Sequence, residues 1–342
     1  MKVYDNTSLK PYNTFGIDVK ARRLLVLEPG DDVPPLEGDV LLLGGGSNMV
    51  FTKDYDGTVI TLSNTFHLSP LTSHLVTVWA GMVMDDLVQH TIAQGLYGLE
   101  NLSAIPGTVG ASAVQNVGAY GAEAKDFIES VEAYDLQERH LCTFSNNDCQ
   151  FAYRDSLFKH HPGRYLILRV TYRLRPVYVP NLSYKALEGL PHATAQELRL
   201  AITNLRWSKL PKPEEHGSAG SFFKNPVVDE EVYLHLKAEY PDMPDAHMSP
   251  ACGEIQKFNE STGFIDFREA GRKYKLSAGW LIDCAGWKGK TMGRAGVWPK
   301  NALVLYNAGG CNGEEVVALA QAIVADVRTK FGITLEPEAI IV

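Results

Sequence analysis

The chain has 342 residues, of which 45% are hydrophobic, 10% aromatic and 21% charged. That is the profile of a folded protein long enough for two or three domains, and it excludes disorder, collagen-like repeats and coiled coil as the main architecture. The net charge is −8 with no block of like charge, which argues against a nucleic-acid or membrane-surface role but not against small anionic ligands.

The stretch MKVYDNTSLKPYNTFG has no apolar core of the kind a secretory signal needs, and no run approaches the ~18 apolar residues of a membrane span. A soluble, cytoplasmic protein is expected. The cysteines (Cys142, Cys149, Cys252, Cys284, Cys311) are scattered, odd in number and without a C-x-x-C pair. They read as free thiols in a reducing compartment, with neither a zinc site nor a disulfide framework.

β-Branched and leucine-rich runs predict strands at 22–28, 39–43, 57–62 and 75–80. A helix fits 83–94, with Val83, Leu87, Val88 and Ile92 on one face and Gly95 as its stop. Strands follow at 127–135 and 165–175, then a linker at Pro176–Asn181 and a helix near 194–207. The proline-rich, charged segment Lys209–Gly217 reads as a second boundary. Helices near 228–239 and 277–284 flank a polar insert at about 241–273. The strongest helix lies near 313–330, with Asn312 as cap, Glu315 at the capping-box position, and Val316, Val317, Ala320, Ile323, Val324 and Val327 as its apolar stripe. A final strand over 332–342 closes an α+β pattern, as opposed to a repeating βαβ wind.

Gly44-Gly45-Gly46-Ser47-Asn48 follows the apolar run 39–43. Such a run lets backbone N–H groups approach a phosphate, with Ser47 and Asn48 as added side-chain donors, although a plain tight turn fits it as well. The G-x-G-x-x-G pattern fails for want of a third glycine near Val50. The Walker pattern fails because Cys284 stands where Gly289-Lys290-Thr291 would need its first glycine. A second segment, Ile105–Gly121, sets glycines 107, 110, 118 and 121 among small residues and the amides Gln115 and Asn116. It can lay bare backbone against a large flat ligand and its diphosphate. Two such segments in one chain favour a single extended cofactor over two unrelated loops.

These segments resemble those of the UDP-N-acetylenolpyruvoylglucosamine reductases, the MurB family of flavoenzymes. The resemblance runs in order over nearly the whole chain. It takes in Asn13-Thr-Phe-Gly-Ile-Asp18, Leu43–Asn48, Glu100-Asn-Leu, Ile105–Gly110, Gln115–Gly121 and Phe151-Ala-Tyr-Arg-Asp-Ser156. It continues through Gly220-Ser-Phe-Phe-Lys-Asn-Pro226, Ala278–Asp283, Trp287–Lys290 and Leu335-Glu-Pro-Glu338. The resemblance implies an FAD-binding fold of the vanillyl-alcohol-oxidase (PCMH) type in two subdomains, 1–65 and 66–208 with the C-terminal strand 331–342. An α+β substrate-binding domain occupies 209–330. It implies non-covalent FAD, NADPH as hydride source, no metal, and reduction of UDP-N-acetylglucosamine enolpyruvate to UDP-N-acetylmuramate for peptidoglycan synthesis. The implied partners are that sugar and NADPH, with no nucleic acid, no membrane and a monomeric state. Gly44–Asn48 and Pro106–Gly121 lack the histidine or cysteine that covalent-flavin oxidases use, which favours the reductase over an oxidase relative.

By the same resemblance the flavin side comprises Gly44, Gly45, Gly46, Ser47, Asn48, Pro106, Gly107, Gly110, Ala111, Gln115, Asn116, Gly118, Ala119, Tyr120 and Arg206. Arg154 is implied to draw charge from the substrate carboxylate as its adjacent carbon gains electrons, a task that suits a forked guanidinium. Ser221 is implied as the proton donor, a weak acid that serves because the enolic carbon is strongly basic. Glu338, in preference to Glu336, assists at the substrate carboxylate. Lys209 and Lys288 match cations for the substrate diphosphate, Asn225 a substrate-contacting amide, and Tyr184 a tyrosine on a closing loop. Asn301 stands where the family carries a glutamine, and its shorter amide reaches through water. Retention of Arg154, Ser221 and Glu338 argues against a mere nucleotide-sugar binder. His160 and His161 read as structural or surface residues.

Overall fold

A computed structural model describes residues 1–69, 74–249, 255–259, 264–268 and 272–342, with only the backbone described at 247–249, 255–259 and 264–268. Cys252 lies outside the described residues, as do 250–254, 260–263 and 269–271 of the polar insert. The other four cysteines are free thiols.

Strand β1 (Lys2–Ser8) pairs antiparallel with β2 (Lys20–Leu27). Strands β3 (Val40–Leu43), β4 (Met49–Val50) and β5 (Tyr55–Leu62) follow, and the first sheet runs β1-β2-β5-β3 with its last two pairings parallel. The parallel pairings make β2 a strand buried on both faces, so its second half reads as a continuous apolar run. Leu24 and Val26 enter one buried cluster, Leu25 and Leu27 another.

The second sheet is antiparallel. It takes β6 (Leu75–Trp79), β9 (Ile128–Asp135), β10 (His140–Ser145) and β11 (Tyr165–Arg173) in the order β10-β9-β11-β6. The helices α1 (Met84–Ala93) and α2 (Val109–Val114) pack on it. Leu87, Val88, Val109 and Ala113 share a core with Val76, Val131 and Val170. The small hairpin β7 (Gly118–Ala119) with β8 (Ala122–Glu123), the short helix α3 (Leu157–His160) and the long helix α4 (Ala195–Lys209) complete this half.

The remainder is mixed. Strands β12 (Ser218–Ser221), β18 (Thr291–Met292), β19 (Ala295–Val297) and β20 (Val304–Asn307) form an antiparallel sheet in the order β12-β20-β19-β18. Strands β13 (Val227–Asp229), β14 (His247–Ser249) and β17 (Lys273–Lys275) form another, and β15 (Ile255–Asn259) pairs with β16 (Phe264–Arg268). Helices α5 (Glu230–Glu239), α6 (Ala278–Cys284) and α7 (Gly313–Phe331) belong here. Leu281, Ile323, Val297 and Leu305 join the same buried cluster as Leu24 and Val26 of the first sheet.

Helices α1, α4, α5, α6 and α7 stand within two residues of their expected bounds. Helix α7 carries the expected capping box, with Asn312 accepting from the Glu315 N–H, and it ends at Gly332 in the left-handed region at φ +71°. Two expectations need correction. The glycine-rich segment is not bare backbone throughout, because Thr108 caps α2 by accepting from the Ala111 N–H, and small residues then run as a helical turn. The closing segment 332–342 is ladder only at β21 (Ile340–Ile341), which pairs parallel with β4. Before it, Pro337 forms an isolated antiparallel bridge with Phe223, closed by the Glu338 N–H on the Phe222 carbonyl and the Lys224 N–H on the Glu336 carbonyl.

Gly313 opens α7 where a Cβ would lie 1.9 Å from the Phe51 carbonyl oxygen. Backbone faces backbone there, so neither side yields easily. Gly313→Ala is expected to destabilise the protein by about 1–3 kcal/mol, read as a lower urea midpoint.

Candidate active site

The Gly44–Asn48 turn leaves the end of β3 and meets Pro106–Gly107 almost backbone to backbone. A Cβ on Gly45 would sit 3.0 Å from the Gly107 Cα, and one on Gly46 would sit 2.1 Å from the Tyr12 carbonyl oxygen. Gly107 lies at φ +121°, a conformation that only glycine adopts freely. Ser47 Oγ donates to the Pro106 carbonyl at 3.1 Å, and Asn48 Nδ2 donates to Gln115 Oε1 and the Glu338 carbonyl. The side chains expected to reach a phosphate are therefore spent on holding the two loops together. What faces the ligand is backbone, since the N–H groups of Gly45, Gly46, Ser47, Gly107 and Thr108 have no acceptor among the described residues.

These loops line a cleft of about 590 Å³, within the ~300–1,000 Å³ of small-molecule sites. Pro106, Gly110, Ala111, Gln115, Gly118, Ala119 and Arg206 line it too. Arg206 Nε is buried without a partner, and burial pulls its guanidinium pKa below the usual value. Unpaired donors along a glycine cradle and an orphaned buried guanidinium N–H suit a diphosphate-linked flavin, so the residues present fit FAD. Gly110 is small for another reason, because its N–H goes to the Ala80 carbonyl and a Cβ would meet Ala80 Cβ at 2.9 Å.

Asn116 is fully buried and does not line the cleft. Its Nδ2 goes to Glu123 and the Ala152 carbonyl, and its Oδ1 accepts from the Lys125 N–H. Tyr120 also stands outside the lining, edge-on to Tyr184 at 5.2 Å between centroids. Lys209 Nζ lies 6.0 Å from the Tyr184 ring centre, so these three form an aromatic and cationic cluster, and neither Tyr184 nor Lys209 lines the cleft.

Arg154, Ser221 and Glu338 line the same cleft. Arg154 lies in a tight turn, Ala152–Asp155, at φ +54°. A left-handed non-glycine residue costs about 1–3 kcal/mol and persists only where its surroundings enforce it. Its Nη2 donates to the Gly118 carbonyl at 2.8 Å and its Nε pairs with Glu338 Oε1 at 3.1 Å. Gln115 Nε2 donates to the same carboxylate oxygen at 3.0 Å. Glu338 reaches this point because β21 is registered on β4 next to the glycine turn, with the Ile340 N–H on the Asn48 carbonyl. The Glu338 N–H on the Phe222 carbonyl at 2.7 Å brings Ser221, at the end of β12, alongside. The Ser221 hydroxyl has no protein partner among the described residues.

Asn225, Lys288 and Asn301 do not line the cleft. Asn225 Oδ1 accepts from the Ala278 N–H, Lys288 pairs with Asp283 at 2.8 Å, and Asn301 Oδ1 accepts from the Leu303 N–H. His160 pairs with Asp155 at 2.7 Å outside the lining, whereas His161 lines the cleft beside Tyr165. Lys159 also lines it, and sequence reasoning passed it over. Burial pulls its ammonium pKa down. Its spacing from Arg154 is the only signal the sequence offered.

Gly107→Ala forces a side chain onto a strained backbone 3.0 Å from Ser47 Oγ. It is expected to weaken FAD retention about tenfold or more, measured as bound flavin absorbance after gel filtration.

Comparison with known proteins agrees with this geometry. Residues 37–141 match the family model described as the FAD binding domain, and 212–342 match that of the UDP-N-acetylenolpyruvoylglucosamine reductase C-terminal domain. The UDP-N-acetylenolpyruvoylglucosamine reductase of Pseudomonas aeruginosa is 41% identical over 99% of this chain and 98% of its own. That of Neisseria gonorrhoeae is 43% identical over 97% and 95%. The crystal structure of the Thermus caldophilus enzyme, 23% identical, superposes with a TM-score of 0.64 over 99% of this chain and 98% of that one, and so shares its fold. The chain belongs to the UDP-N-acetylenolpyruvoylglucosamine reductase family.

Proposed function

We propose that the protein reduces UDP-N-acetylglucosamine enolpyruvate to UDP-N-acetylmuramate with electrons from NADPH, using FAD held without a covalent bond, as a cytoplasmic monomer in peptidoglycan precursor synthesis. The observation that carries this reading is the convergence of Arg154, Glu338 and Ser221 on the cleft that the two glycine loops form. Bound there, the flavin supplies hydride acceptance from NADPH and hydride donation to the terminal carbon of the enolpyruvyl group.

The chain's own residues handle the charge and the proton. Addition at the terminal carbon pushes an electron pair onto the neighbouring carbon and into its carboxylate. Arg154 forks onto that carboxylate and lowers the energy of the enediolate. Ser221 then gives its hydroxyl proton to the carbon, which is basic enough to take it from a weak acid. Glu338, steadied by Gln115, shapes the seat of the carboxylate and keeps Arg154 in place until substrate arrives. Tyr184 and Lys209 close over the sugar diphosphate. Lys288 exchanges Asp283 for the diphosphate, an easy exchange for an exposed ion pair. Asn225 and Asn301 supply amide contacts, the latter through water.

Anaerobic visible spectroscopy tests this directly. NADPH should bleach the flavin band, and only the enolpyruvyl sugar should restore it. Restoration by oxygen but not by the sugar would mark an oxidase, and absence of a flavin band after adding FAD would remove the enzyme reading. Ser221→Ala should still bleach with NADPH but lose about a hundredfold or more in turnover. Normal turnover in that variant would refute the proton-donor role. Tyr184→Ala should raise KM for the sugar while flavin affinity stays constant; equal loss of both would remove the lid role.

A further inference from the structure

Lys159 has no place in the mechanism above, yet it stands in the same cleft. Its Nζ donates to the Arg154 carbonyl oxygen at 2.8 Å. Arg154 is the one residue of the Ala152–Asp155 turn with a positive φ, at +54°. Its carbonyl accepts from no other group among the described residues. The flanks of the turn are held independently. Asn116 Nδ2 binds the Ala152 carbonyl, Ser156 Oγ the Val114 carbonyl, and the Leu157 N–H the Cys149 carbonyl. The frame of the turn therefore stands without Lys159. The Asp155 N–H on the Ala152 carbonyl holds one end of the Arg154–Asp155 peptide, and among the described residues Lys159 alone holds its carbonyl end. Release of that carbonyl would free φ and ψ of Arg154 to leave the left-handed region together and swing its guanidinium away from Gly118 and Glu338.

We infer that Lys159 is a positioning residue for Arg154, pinning its peptide carbonyl so that the left-handed backbone persists and the guanidinium points at the substrate carboxylate. The neutral, near-isosteric Lys159→Met removes the pin and keeps the volume. This inference rests on the reductase reading, so the test needs a readout that does not depend on it.

The first measurement is amide hydrogen exchange on the FAD-loaded protein. The Asp155 amide, bonded to the Ala152 carbonyl at 3.2 Å, should exchange about tenfold faster in Lys159→Met, while the Leu157 amide keeps its wild-type rate. The second is a double-mutant cycle on reoxidation of dithionite-reduced enzyme by the enolpyruvyl sugar, which leaves NADPH out. Lys159→Met should slow this step about tenfold to a hundredfold in the wild-type background. In an Arg154→Ala background it should slow it by less than about twofold, because a residue acting through Arg154 has nothing left to position. Unchanged exchange at Asp155, or losses that multiply in the double variant, would overturn the inference. Should Lys159→Met lose its flavin, Lys159→Gln goes through the same two measurements. Wild-type enzyme that the sugar fails to reoxidise would overturn the reductase reading alone, with the exchange rates still deciding the role of Lys159.

Discussion

The architecture of the site depends on two loops approaching with no side chains between them. A Cβ on Gly45 would press within 3.0 Å of the Gly107 Cα and one on Gly107 within 3.0 Å of Ser47 Oγ, so contact favours glycine at both positions and φ favours it further at Gly107. Each loop belongs to a different sheet system: Gly44–Asn48 leaves β3, and Gly107 is bonded back to Met84 at the start of α1. Their contact is where the two systems register, and it spends the side chains of Ser47 and Asn48 on cohesion. The backbone N–H groups remain for the ligand. A row of fixed amides binds a diphosphate without reorganising, which a set of flexible hydroxyls would not do.

From that contact a polar chain extends through residues distant in sequence. Asn48 binds Gln115, Gln115 and Arg154 bind Glu338, and Arg154 binds Gly118. The link from Asn48 to Glu338 spans 290 residues. It exists because β21 pairs with β4 directly beside the glycine turn, and because the Glu338 N–H follows the Phe222 carbonyl at the end of β12. The glycine turn and the Arg154, Glu338 and Ser221 cluster are thus set by the same strand ends, so a shift of either loop moves both.

How much of this the sequence disclosed varies with the kind of interaction. Helices α1, α4 and α7 were legible because caps and a helical apolar period are local signals. Strands β1 and β10 were not, since both lie at sheet edges and expose most of their residues, β10 turning only Cys142 and Phe144 toward the core. Helix α2 was hidden by its glycine and small residues, which read equally as loop. The glycine loops and the proposed trio Arg154, Ser221 and Glu338 came from motifs, and the structure brings them to one cleft. Asn116 illustrates the limit of that route: its motif pointed to the flavin, while its side chain is consumed by Glu123, Lys125 and Ala152. Lys159 illustrates the opposite limit. Its partner is a backbone carbonyl, which carries no residue identity for a sequence to show.

The Arg154–Glu338 pair also decides which anions the cleft admits. With side-chain exposures of 22% and 13%, the two charges largely cancel within the cleft before any ligand enters. A visiting ion therefore meets an arginine already satisfied by a carboxylate and an internal carbonyl. A spherical ion such as chloride offers one contact and cannot match what it displaces. A planar carboxylate presents two oxygens in the spacing of the guanidinium fork, and so can take the carboxylate's place. The cleft thereby sorts anions by shape more than by charge, and chloride is a poor competitor at the Arg154 end of it.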